Sequence, residues 1–91
     1  MRNVLIYGVA RMFEPSLQPF SLTSLTVGTT ARILAVDLEE GLRTRMLALG
    51  LSPGQEIKVM RKAAWGGPLQ VRVGTTDIIL RIADARVITV V

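Results

Sequence analysis

The 91-residue sequence contains no cysteine and no histidine. Without cysteine there is no disulfide and no thiolate nucleophile, and without histidine there is no imidazole base and no usual zinc ligand. No motif for phosphate binding is present, and no nucleophile can be paired with a base. We therefore expect a protein that is not an enzyme, holds no cofactor and has no metal site of its own.

Aromatic residues are also scarce, at 4% of the chain, whereas hydrophobic residues of all kinds make up 49%. A core must therefore be built from valine, isoleucine and leucine, which favours a small β-rich domain. No apolar stretch reaches the roughly 18 residues that a membrane-spanning helix needs. The sequence predicts one folded, cytoplasmic domain that does not insert into a membrane.

Long runs of one charge are absent as well, although eleven basic residues outnumber seven acidic ones and give a net charge of +4. Such an excess suits an anionic partner, either nucleic acid, a membrane surface or an acidic protein face. The basic residues are scattered, and the longest basic run is the pair Arg61-Lys62. The predicted strands carry no series of aromatic residues on which bases could stack, so nucleic acid is the less favoured partner.

Residues 1–20 differ from the rest of the chain. The apolar run from Val4 to Ala10 ends at Arg11 and is too short to span a bilayer. Pro15 and Pro19 indicate a linker to a domain over residues 21–91. Two interpretations of the extension stay open: a tail, or a strand added to the edge of a sheet in this chain or in a neighbouring copy. A strand added to a neighbouring copy would make the protein a homo-oligomer.

The most informative stretch predicts a helix and its end. Leu42, Met46 and Leu49 follow the spacing i, i+4, i+7 and form one apolar stripe, which we expect to face the core. Gly50 can adopt the left-handed conformation that ends a helix, and Leu51 can fold back onto the last turn. We expect the helix to cover residues 38–49, with Asp37 as its N-cap and Glu40 reaching back.

The remaining elements are short strands separated by turns. Pro53-Gly54 predicts a tight turn, and alternation predicts strands over 29–36, 55–63, 69–73, 77–82 and 87–91. In the second strand we expect Ile57 and Val59 to face inward and Lys58, Met60 and Lys62 outward. The predicted core comprises Ile33, Leu42, Met46, Leu49, Ile57, Val59, Val71, Val73 and Leu80. The fold class is mainly β, a small five-stranded barrel with one short helix between the first two strands.

In this order, the motifs over residues 21–91 resemble the FeoA family, the small cytoplasmic partner of the bacterial ferrous iron transporter FeoB. The resemblance rests on Leu22 and Leu25 before Val27-Gly28, the helix and stop over 42–51, Pro53-Gly54, Gly67-Pro68-Leu69, and Leu80-Arg81 with Ala85. It implies an SH3-like barrel and family-level involvement with transition metals. It also implies a non-catalytic, regulatory role in iron uptake through binding the cytoplasmic GTP-binding region of FeoB, a membrane GTPase.

Two other functions remain as alternatives. Similar SH3-like domains occur at the C-terminus of metal-dependent repressors of the diphtheria-toxin type, but 91 residues leave no room for their winged-helix domain. A basic barrel that binds nucleic acid is the other alternative. Because no imidazole or thiolate ligand is present, we expect any link to iron to run through a partner protein.

Four residues are predicted to bind the partner. Arg43 and Arg45 lie off the apolar stripe of the helix and form either a solvated face or a docking surface for an acidic partner. Trp65, the only tryptophan, occupies a glycine-rich loop next to Lys62. It is either folded over one end of the barrel or an interface anchor.

Three carboxylates cluster ahead of the helix, at Asp37, Glu39 and Glu40. They could be taken for a cation site. Capping of the helix and its dipole explain them better, because the start of a helix favours negative charge.

Overall fold

The computed structural model describes residues 18–91, so the interpretations of the N-terminal extension concern residues that, up to 17, lie outside the described part. Six strands are present: β1 (Phe20–Ser21), β2 (Thr30–Val36), β3 (Glu56–Lys62), β4 (Leu69–Val73), β5 (Thr76–Leu80) and β6 (Ile88–Val90). Two helices, α1 (Glu40–Ala48) and α2 (Ile82–Arg86), and a 3-10 turn over Leu22–Ser24 complete the domain.

All six strands belong to one antiparallel sheet with the order β1-β6-β2-β3-β4-β5. The prediction of five strands is wrong by one, because β1 pairs Phe20 with Val90 and Ser21 with Thr89. A strand of two residues is too short to show a period of two in the sequence. The extra strand also moves α1, which lies between the second and third strands and not between the first two.

The core is made by the inward rows of the strands, as the alternation predicts. Ile57 and Val59 of β3 are fully buried, and Leu69, Val71 and Val73 of neighbouring β4 are also buried. Other predicted core positions are confirmed at Ile33 and Leu80. Leu22, Leu25, Ala85, Ile88 and Val90 close the core from the 3-10 turn, α2 and β6.

The apolar stripe of α1 does not face the core as expected. Met46 is half-buried and packs against the core, and Leu42 is also half-buried. Leu49 is 44% exposed, so its predicted burial is wrong. The helix ends at Ala48, and the chain turns before Leu49 can continue the stripe. Leu51, two residues later, is fully buried instead.

The end of α1 has the left-handed glycine that the sequence predicts. Gly50 has a φ of 101°, its N–H donates to the Leu47 carbonyl at 3.0 Å, and the Leu51 N–H donates to the Met46 carbonyl at 3.0 Å. These are the two bonds of a Schellman motif, which a glycine in the left-handed region permits. The motif directs the Leu51 side chain into the core.

The start of α1 differs from the prediction. The helix begins at Glu40, and Glu39 is the N-cap, with its Oε1 accepting from the Leu42 N–H at 2.8 Å. Asp37 is therefore not the cap. The spacing from Asp37 to Glu40 fits a capping box, but the chain stays extended for two more residues, so the next carboxylate fills that role.

A β-bulge in β3 changes which residues face outward. Val59 lies opposite Val71, but Arg61 lies opposite Gln70, and the register shifts between them. Residues directly opposite in an antiparallel pair share a face. Lys62 lies opposite buried Leu69 and so does not share the face of Lys58 as predicted, but its side chain is exposed, at the end of the strand. Arg61 takes the outward position instead.

Leu51 and Leu49 offer a matched test of this packing. Replacing Leu51 with alanine is expected to lower the free energy of unfolding by about 2–5 kcal/mol, because a fully buried leucine leaves a cavity. Leu49→Ala removes the same atoms from a partly exposed site and is expected to cost under about 1 kcal/mol. Urea denaturation followed by circular dichroism measures both, and equal losses would contradict the assignment of Leu51 to the core.

Candidate protein-binding surface

The loop between β3 and β4 is a tight, structured turn. The Ala63 N–H donates to the Pro68 carbonyl at 3.0 Å, and the Gly67 N–H donates to the Ala64 carbonyl at 3.2 Å. The two central residues of the inner turn, Trp65 and Gly66, have φ values of 61° and 74°. Positive φ at both central positions is the signature of a type I′ turn. This geometry fixes where the loop points its side chains.

Trp65 projects from this turn fully into solvent, with a relative exposure of 101%. The interpretation that folds it over one end of the barrel is therefore wrong. A non-glycine residue in the left-handed region costs roughly 1–2 kcal/mol, and no burial of the indole offsets that cost. The turn thus holds a large apolar side chain in an unfavourable conformation and in water.

The two cations that precede the loop have different surroundings. Lys62 Nζ donates to the Thr23 carbonyl at 3.0 Å and so ties the end of β3 to the 3-10 turn. Arg61 is exposed and forms no ion pair within residues 18–91. The bulge therefore presents Arg61 to solvent and gives Lys62 a structural hydrogen bond.

Beside the loop lies an open groove of about 240 Å³ across the outer face of β3, β4 and β5. Its lining includes Arg61, Lys62, Ala63, Pro68, Gln70 and Ile79. Ile79 is 65% exposed, on the outermost of the three strands. The groove thus combines an apolar side chain with uncompensated positive charge.

The acidic residue on this face is neutralised by its neighbours. Arg72 donates to Asp77 through Nε to Oδ1 at 2.6 Å and through Nη2 to Oδ2 at 3.0 Å. These hydrogen bonds lower the pKa of the Asp77 carboxyl. Gln70 adds a hydrogen bond to Oδ2 at 3.3 Å. Because Asp77 is matched by Arg72, the positive charge that remains on this face belongs to Lys58 and Arg61.

Arg43 and Arg45 lie on the exposed side of α1, far from the loop. Arg32 of β2 lies opposite Glu56, the first residue of β3. Because the two strands are antiparallel, the end of β2 at Val36 and the start of α1 lie beyond this end of β3. Trp65 follows the last residue of β3, and seven strand residues rise by about 20 Å. The structure brings Lys62 and Trp65 together and separates them from Arg43 and Arg45.

Sequence reasoning missed three residues of this surface. Arg61 and Gln70 share the outer face because of the bulge, and no residue in β3 marks a bulge in the sequence. Ile79 carried a usable signal: it follows Ile78, and in a strand with a period of two only one of two consecutive isoleucines can face the core. Ile78 is buried and Ile79 is exposed.

The acidic cluster ahead of α1 contains the cap of the helix. Glu39 is engaged in capping, and within residues 18–91 no three carboxylates lie close enough together to hold a metal ion. In the same range, neither helix has the length and apolar character to cross a membrane.

A model of the FeoA domain family matches residues 20–91. The solution structure of FeoA from Chlorobium tepidum is 34% identical, with coverage of 78% of this chain and 68% of that one and a TM-score of 0.74. Stenotrophomonas maltophilia FeoA, a prokaryotic SH3 domain protein solved with zinc, is 30% identical, with coverage of 79% and 89% and a TM-score of 0.69. IdeR from T. acidophilum is 32% identical over 79% of this chain but only 33% of its own length, with a TM-score of 0.65. No curated protein sequence matches.

The strained conformation of Trp65 can be tested by stability. Trp65→Asn is expected to raise the free energy of unfolding by about 1 kcal/mol, because asparagine adopts positive φ at lower cost and no buried area is lost. Trp65→Ala removes the same indole but keeps an unfavourable Cβ, so it should stay close to wild type. Urea denaturation measures both variants, and a less stable Trp65→Asn protein would contradict the assigned turn.

Proposed function

Because this chain belongs to the FeoA family, we propose that it is a non-catalytic accessory protein of bacterial ferrous iron uptake that binds the cytoplasmic region of a FeoB-type transporter. One similar structure is described as an iron(II) transport protein A. Such a partner would place the protein in the cytoplasm. The chain would regulate or support uptake by contact with the transporter.

The observation that carries the binding role is the exposed Trp65. Tryptophan is enriched among the residues that dominate the binding energy of interfaces, because it buries a large area with few rotatable bonds. The chain has four aromatic residues in all, and its only tryptophan lies outside the core. Binding would cover the indole.

The charge on the same side of the domain indicates the chemistry of the partner. Arg61 and Lys58 are exposed and unpaired within residues 18–91. Opposite charges across an interface speed association and exclude wrong partners. We therefore propose an acidic face on the transporter, with Trp65 and Arg61 as the main contact. Arg43 and Arg45 would form a second contact. A partner must span the length of β3 to reach this contact together with Lys62 and Trp65.

The alternatives have less support. The likeness to IdeR covers only a third of the length of that protein. For nucleic acid, strands would need aromatic side chains on an exposed face. Within the described strands the one aromatic residue is Phe20, which is half-buried and packs against the core.

Substitutions at the two ends of β3 locate the interface. Charge reversal at Arg43 and Arg45 is expected to slow association with the cytoplasmic domain of FeoB and to weaken its salt dependence, because these charges steer the encounter. Trp65→Ala is expected mainly to speed dissociation. Surface plasmon resonance at two salt concentrations separates the two rate constants.

A matched pair of single variants serves as the control. Arg45→Glu and Arg61→Glu change the net charge equally, but Arg45 lies in α1 and Arg61 lies near the end of β3. We expect Arg61→Glu to weaken binding more than Arg45→Glu does, because Arg61 is closer to Trp65. Binding that survives Trp65→Ala and all charge reversals would move the interface elsewhere. Failure to bind the transporter domain, with tight binding to DNA, would favour the nucleic-acid alternative.

A further expectation concerns iron itself. Calorimetric titration of the isolated chain with ferrous iron under reducing conditions is expected to show no stoichiometric site of micromolar affinity, because histidine and cysteine are absent from the sequence. The transporter domain mixed with the chain should bind no more iron than the transporter domain alone. A stoichiometric site on the isolated chain would contradict this view.

A further inference from the structure

The two edges of the sheet are built differently. At one edge, β1 has two residues and follows Pro19, features that protect an edge from pairing with another strand. At the other edge, β5 has five residues and contains no proline, lysine or bulge. Within residues 18–91, β5 pairs with β4 alone. The domain therefore protects one edge and leaves the other open.

The turn before β5 determines which backbone groups face this open edge. Val73 lies opposite Thr76 across a two-residue loop, so these two residues exchange hydrogen bonds. Bonded pairs alternate along an antiparallel ladder. The N–H and C=O groups of Asp77 and Ile79 therefore point away from β4. Neither residue has another backbone partner within residues 18–91.

The side chains beside this edge favour a particular strand. Ile79 is exposed and offers an apolar contact, while Arg61 lines the same groove. Arg72 already neutralises the carboxylate of Asp77, which removes the charge that would repel an acidic segment. An incoming strand would lie directly beside Ile79, so an apolar side chain on its outer face would contact Ile79, and the net charge of +4 favours acidic side chains elsewhere in the segment.

A second copy of this chain fits the edge less well. A five-residue strand paired with itself would contribute only part of the roughly 800 Å² that each partner buries in a stable interface. Each copy also carries a net charge of +4, so the two faces would repel one another. A segment of another protein that continues along the groove to Trp65 has neither difficulty.

We infer that the partner contributes an extended segment with acidic and apolar side chains, which adds to β5 as a further strand of the sheet. Backbone hydrogen bonds with Asp77 and Ile79 supply affinity, Ile79 selects an apolar side chain, and Arg61 and Trp65 contact the segment where it continues along the groove. The inference rests on the proposed function for the identity of the partner, and the geometry of the edge stands independently of it.

Proline at position 79 is the direct test. Ile79→Pro removes an outward N–H without removing a hydrogen bond to β4, since edge strands accept proline when its nitrogen faces solvent. Ile79→Thr is the matched control, because it keeps the backbone donor and the β-branched shape. We expect Ile79→Pro to weaken binding of the transporter domain at least about tenfold and Ile79→Thr to weaken it less. Equal effects of the two variants would overturn strand addition.

Hydrogen exchange on the unmodified protein gives a second measurement that does not depend on how the proline variant folds. The probe is a synthetic peptide of alternating valine and glutamate, and an alternating valine and lysine peptide is the charge control. The acidic peptide is expected to slow amide exchange at Asp77 and Ile79, and the lysine peptide is not. Fast exchange at both amides with either peptide bound would overturn the inference. Protection in the free protein would also overturn it, because the edge would then already be covered.

The two proposals fail in different ways. If the transporter domain does not bind the wild-type chain while the acidic peptide protects Asp77 and Ile79, the proposed partner is wrong and the edge site stands. If the transporter domain binds and tolerates Ile79→Pro but not charge reversal at Arg43 and Arg45, the proposed function stands and the edge site is wrong.

Discussion

The domain depends on the burial of one aliphatic row from each main strand. The inward residues of β2 to β6 form the core with Leu22, Leu51 and Ala85, and no aromatic side chain is fully buried within residues 18–91. A core of small branched side chains suits a curled sheet because each strand contributes alternate residues at a fixed spacing. The residues on the outer face of the sheet then take no part in packing the core. The cations and Ile79 can occupy the outer face without loss of core.

How far the sequence predicts this structure depends on the range of the interaction. Alternation places β4 and its inward residues correctly, and Gly50 marks the end of α1, since these signals are local. The orientation of Leu49 is not local: it depends on where the helix stops and on Leu51 filling the core. The bulge in β3 likewise results from pairing with β4, and no residue within β3 indicates the bulge in the sequence.

The same distinction applies to the candidate surface. Trp65 stands out in the sequence because a single tryptophan lies among glycines, and the structure places it in solvent. The distance of Trp65 from Arg43 and Arg45 depends on how β2, α1 and β3 are arranged in space, which is not a local property of the sequence. Antiparallel pairing puts α1 beyond one end of β3 and the loop beyond the other. The residues predicted to bind the partner are therefore divided between two places that lie about the length of a strand apart.

The position of Trp65 also determines what the protein's intrinsic fluorescence can report. The only indole in the chain is already surrounded by water in the folded state, so unfolding changes its environment little and should hardly shift its emission. A partner that covers the indole would shift the emission strongly toward the blue. In this domain tryptophan emission is insensitive to folding but sensitive to association, the reverse of its usual behaviour in proteins that bury their tryptophan.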